Sequence, residues 1–149
     1  PPPMPSPLRL TAPLVLLLAA CSQTPGEISQ DTQAFDGIAA EASISVLGTE
    51  PFWALEIAPE SDGHTAIYSS PENLEGARFA VDRFAGNNGV SFSGTLDGEA
   101  MSAAITPGDC SDGMSDRSYP YTATVSLGDS TLFGCAYTSD EPFTGDEAS

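Results

Sequence analysis

Val90-Ser91-Phe92-Ser93-Gly94-Thr95-Leu96, then Asp97-Gly98, then Ala100 to Ile105: two alternating runs joined by a two-residue turn decide the fold of this chain. Successive side chains of a strand point to opposite faces, so Val90, Phe92 and Leu96 share one face and the serines the other. Asp-Gly favours the tight turn whose twist matches two paired strands. The pattern repeats outward on both sides. Ile44-Ser45-Val46, Phe52 to Ile57, Thr65 to Tyr68 and Arg78 to Phe84 precede it, and Tyr121 to Leu127 and Thr131 to Tyr137 follow. Further turn signals stand at Asp62-Gly63, Asn88-Gly89 and Gly128-Asp129. Regular spacing of about eight short strands predicts an all-β fold, a small antiparallel meander closed into a barrel. A β-sandwich is the alternative. Ser70 to Ala77 is the one stretch that reads as room for a helical turn.

The other distinctive run lies upstream. Leu14 to Ala20 is apolar, ends in two small residues and meets Cys21. A membrane-spanning helix needs about 20 apolar residues, and Arg9, Thr11 and Pro13 break this run before that length. A secretory signal has a basic start, an apolar stretch of roughly 7–15 residues and a small-residue cleavage site. Leu18-Ala19-Ala20-Cys21 resembles the lipobox of bacterial lipoproteins. That resemblance implies removal of residues 1–20, lipidation of the Cys21 sulfur and a partner that is the membrane itself. Several acyl chains anchor firmly where one binds only marginally. Ser22, in place of Asp, resembles sorting to the periplasmic side of the outer membrane in Gram-negative bacteria.

With Cys21 assigned to lipid, Cys110 and Cys135 remain, an even count in an exported chain, and are expected to form a disulfide. Composition then divides the rest. Residues 21–40 are polar with few large apolar groups and read as a flexible tether, 41–137 as the β domain, and 138–149 as a frayed acidic tail. The chain carries 21 acidic residues against four basic ones, all arginine, for a net charge of −17. Such a field repels nucleic acid and anionic head groups, so no nucleic-acid partner is expected.

Chemistry-bearing constellations are few. His64 is the single histidine and follows Asp62-Gly63, so it reads as a solvated turn residue. No Gly-x-Ser-x-Gly elbow accompanies the abundant serines. Zinc needs three or four ligands, and the thiols are committed elsewhere, so neither a metal nor another cofactor is expected. Gly108 to Asp116 is acidic and glycine-bent, but its spacing departs from an EF-hand loop. Asx-turn bonding around Cys110 is the expected account.

Two blocks are more specific. Gly48-Thr49-Glu50-Pro51-Phe52-Trp53 sets the only tryptophan beside a Glu-Pro step. Cys110-Ser111-Asp112-Gly113-Met114-Ser115-Asp116-Arg117 is followed by Tyr119-Pro120-Tyr121-Thr122-Ala123 and Gly134-Cys135-Ala136. Together they resemble a family of uncharacterised bacterial envelope lipoproteins, over most of residues 44–137. The resemblance implies an envelope location and carries no activity. From the residues themselves, Trp53 is expected in the core, with its indole N–H paired, or else on a binding face. Arg117 is expected in a carboxylate clamp with Glu50, Asp112 or Asp116, or else with Glu50 and Tyr119 around a small pocket. The functional expectation is a non-enzymatic binding or envelope-maintenance module for a protein or small-molecule ligand. The alternative is an inhibitor of a lysozyme-type envelope hydrolase, toward which strong negative charge would steer a basic enzyme. The Ser-Gly-x-x-Tyr motif of such inhibitors is not found at Ser93-Gly94-Thr95-Leu96.

Overall fold

The computed structural model describes residues 1–5 and 33–145; the lipobox, Cys21 and the first part of the expected tether lie outside that range. Eight antiparallel strands follow in order: β1 (Ile44–Thr49), β2 (Phe52–Glu60), β3 (Gly63–Ser70), β4 (Asn73–Ala85), β5 (Val90–Leu96), β6 (Glu99–Ser111), β7 (Ser118–Leu127) and β8 (Ser130–Thr138). Each pairs with its sequence neighbour, and β1 closes on β8 through Ile44↔Thr138, Val46↔Ala136 and Leu47↔Cys135. The result is a closed meander barrel, as the alternation predicts. The expected helical turn is not formed: Pro71-Glu72 makes a tight turn and β4 begins at Asn73. Asp97 (φ 51°) and Gly98 (φ 84°) both adopt the left-handed region. That conformation matches the twist of the strands they join and explains the Asp-Gly pair.

An eight-stranded barrel has an interior just wide enough for side chains to fill. Here Ile44, Val46, Leu55, Ile57, Phe92, Met101, Ile105 and Val125 supply the bulk, and Ala66, Ala103, Ala123 and Ala136 leave it room. The two ends differ. One carries the four turns β1–β2, β3–β4, β5–β6 and β7–β8, each with at least one acidic residue (Glu50, Glu72, Asp97, Asp129). We call it the rim.

The opposite end is capped. Residues 35–42 pack into it, with Ile38 only 2% exposed and Phe35 against the core. Three side chains seat this strap by its carbonyl oxygens. His64 Nε2 donates to Ala40 O (2.8 Å), Arg83 Nη2 donates to Ile38 O (2.7 Å), and the Tyr121 hydroxyl lies 3.3 Å from Gly37 O. The Phe35 amide adds a bond to Gly86 O at 2.7 Å. Two boundaries are thereby corrected. The domain begins before residue 41, because Ile38 is buried in the core and the half-buried Phe35 packs against it. Part of the expected tail is held to the domain, because Ser118 and Thr144 exchange two backbone hydrogen bonds and Ser139 N donates to Ser43 O. His64 is likewise no solvated turn residue; its ring meets Phe92 edge-on at 5.5 Å.

A second small core lies outside the barrel. The β6–β7 pairing shifts register between Pro107 and Cys110. Beyond that point the two strands form an arm bonded to β8 by the Cys110–Cys135 disulfide. Cys135 and Tyr137 alternate out of phase with the inward Ala136 and Thr138, so they belong to the outer face. Tyr119, Tyr137 and Phe143 meet there, with ring centroids 5.1–6.1 Å apart.

Candidate functional site

The candidate residues separate into two groups. Glu50 and Trp53 belong to the rim, where the Glu50–Pro51 peptide is cis. Trp53 is buried at 4% exposure, as expected of a core tryptophan. Its placement explains two glycines of the sequence blocks. A Cβ on Gly48 would collide with the indole Nε1, and one on Gly134 would collide with the Leu47 carbonyl and crowd the indole. Gly48 is Trp53's pairing partner across β1–β2, and Gly134 faces it from β8. The blocks therefore share one packing problem, which is to fit an indole inside a narrow barrel end.

Asp112, Asp116, Arg117 and Tyr119 sit in the arm. Asp112 takes the expected Asx-turn form: Oδ1 accepts from the amides of Met114 (2.9 Å) and Ser115 (2.8 Å). Its Oδ2 accepts from the hydroxyls of Ser115 (2.7 Å) and Tyr119 (3.2 Å). These bonds, those of Ser115 foremost, hold the Asp112 carboxyl well below the usual carboxylate range. Burial pushes the Tyr119 phenol up, against a hydrogen bond from Arg117 that lowers it. Asp116 is exposed in the loop.

The expected clamp takes another form. Among the described residues the only salt bridge is Arg78–Glu60 at 3.1 Å, so Glu50, Asp112 and Asp116 make none with Arg117. The Arg117 guanidinium instead lies over the Phe143 ring, 4.2 Å from its centroid. A guanidinium stacks favourably on an aromatic face, and the tail that carries Phe143 is thereby pinned to the arm. Alternation along β7 could not reveal a partner in residues read as tail.

An apolar depression lies at the rim beside Trp53. A groove of about 460 Å³ runs over the outer face of β1, β2 and β3. Phe52 (61% exposed) and Leu74 (82% exposed) flank it, with Leu47, Ala54 and Pro71 contributing further apolar surface and Ser69 and Ser70 the polar groups. No charged side chain lines it. A smaller cleft of about 220 Å³ separates the arm at Cys110–Asp112 from Leu47–Thr49 and Phe133. Phe52 and Leu74 were missed as site residues. The available signal was phase: with Trp53 turned inward, Phe52 must face out.

Among the described residues no group of three or more His, Cys, Asp or Glu is placed to hold a metal ion. Comparison with protein-family models, curated proteins and solved structures finds no match to this chain.

Proposed function

We propose that this chain is a lipid-anchored binding module of the bacterial envelope, without catalytic activity, held through Cys21 on the periplasmic side of the outer membrane. The apolar groove beside Trp53 carries the binding part of this reading. Ligand sites of a few hundred Å³ are typically lined by apolar and aromatic groups with a small number of polar ones on a rigid scaffold, and the groove has that make-up. A closed barrel supplies rigidity, since it leaves no free sheet edge. The Cys110–Cys135 bridge supports an oxidising compartment. The Leu18-Ala19-Ala20-Cys21 run supports the anchor.

Site-specific photo-crosslinking in a Gram-negative host tests it. A crosslinker at position 52 should trap a discrete adduct in the membrane fraction, whereas one at exposed Ser93 on β5 should not. Equal labelling from both positions, or none from 52, overturns the binding reading. Full processing and membrane retention of Cys21→Ser overturns the anchor.

A further inference from the structure

We infer that the groove between Phe52 and Leu74 docks a cationic amphipathic polypeptide segment, its apolar side chains entering the groove and its basic groups meeting the acidic turns beside it. This rests on the binding-module reading above and names the partner's chemistry.

The apolar half of the argument is exposure. Phe52 and Leu74 present large side chains to water on adjoining segments, with Ala54, Ser69 and Ser70 between them. Their separation leaves room for side chains to enter from outside. The groove lies open on the outer surface, where a small ligand would stay largely wet. A polypeptide segment laid across it would cover more apolar area, as an amphipathic helix does in a receiving groove.

The charged half decides which segment. Glu50 precedes Phe52 by two residues, and Glu72 and Glu75 bracket Leu74. Glu72 is exposed and directly follows Pro71, a groove residue, which sets a negative charge beside the lining. None of the described arginines lines the groove. Arg78 pairs with Glu60, Arg83 reaches into the capped end, and Arg117 lies over Phe143. An anionic lipid surface would be repelled by this border, and so would an acidic peptide. A partner with apolar and basic faces satisfies both parts of the site, and its approach would be accelerated by the chain's net charge of −17.

The test uses the full chain, a helical Leu/Lys amphipathic peptide and its Leu/Glu counterpart, with the fluorescence of the single tryptophan, Trp53, as readout. The Leu/Lys peptide should bind saturably and more weakly as salt rises; the Leu/Glu peptide should not bind. Phe52→Ser with Leu74→Ser, both at exposed positions and checked by an unchanged melting curve, should weaken binding by about tenfold or more. Glu50→Gln, Glu72→Gln and Glu75→Gln together should flatten the salt dependence. Wild-type affinity in the Ser variant overturns the proposal, as does equal binding of the two peptides. A neutral monoacylglycerol that binds where the Leu/Lys peptide does not overturns the peptide assignment and leaves the groove a binding site. Binding of neither probe, or burial of the groove by self-association, overturns both readings.

Discussion

Tyr119 and Tyr121 stand two residues apart on β7 and are both buried, yet they belong to regions built differently. Tyr121 reaches from the barrel interior to the capped end, where its hydroxyl sits 2.6 Å from Glu141 Oε2 and near the strap carbonyl of Gly37. It belongs to the barrel core, whose strands pair all the way around. Tyr119 lies past the register shift, among Tyr137 and Phe143, on an arm tied to the barrel by a disulfide and to the tail by a stacked arginine. The interior is one cooperative body. The outer aromatic layer is an attachment whose order depends on a few discrete links.

That contrast is open to attack, beginning with the interior. Leu55→Ala removes a fully buried side chain from the barrel, and should lower stability by about 2–5 kcal/mol in a single transition seen alike by all probes. Separate transitions for barrel and arm would show that the two regions melt independently. Replacing both Cys110 and Cys135 by Ser should cost roughly 3 kcal/mol through the freed loop. Amide exchange should then rise first around Tyr119 and Tyr137 while β2 and β5 stay protected. Uniform exchange across both regions would make the disulfide a link of the whole fold. Arg117→Lys should cost about 1 kcal/mol, because an ammonium does not reproduce a guanidinium stacked on Phe143. Arg117→Lys in a Phe143→Leu background should cost less. An undiminished cost there would remove the stacking from the account.

The smallest effects are set by pH and should fall on opposite sides for the two regions. Asp112 in the arm is held below its ordinary value of 3.8 by the bonds from Ser115 and Met114. Its contribution is complete above that pH and is lost as pH falls below it. Burial raises the Tyr121 phenol above its ordinary 10.0, and Glu141 adds to the rise. That contribution is complete below pH 10 and is lost as pH climbs beyond it. Melting temperature against pH should therefore show a shallower acid limb in Asp112→Asn and a shallower alkaline limb in Tyr121→Phe. Limbs unchanged from wild type would mean that these groups do not couple titration to folding.

Legibility in the sequence follows the same division. The barrel strands are carried by period-two alternation and by Asp-Gly and Asn-Gly turns, which are local signals, so all eight were readable. The strap was not, because Phe35 and Ile38 are lone apolar residues in a polar run. They are seated by His64, Arg83 and Tyr121 from three distant strands, and no local window contains those partners. The arm was half readable. Its disulfide follows from cysteine counting and its Asp112 turn from local chemistry. Arg117 was expected to seek carboxylates because acids are everywhere, and the ring it covers belongs to residues whose composition resembles a disordered tail. The groove hid in plain alternation, since an outward Phe beside an inward Trp reads simply as part of a strand.

The strap has a mechanical consequence. Residues 35–42 enter the barrel at the end opposite the rim, so a pull from any tether joined to them would fall on the capped end and not on the groove. Tension along that tether would meet Phe35 and its bond to Gly86 first, then the carbonyls held by Tyr121, Arg83 and His64 in turn. These contacts would open one after another, as a seam does, before any pair of barrel strands bore the load. The strap would thus act as a strain relief, giving way while the groove keeps its shape.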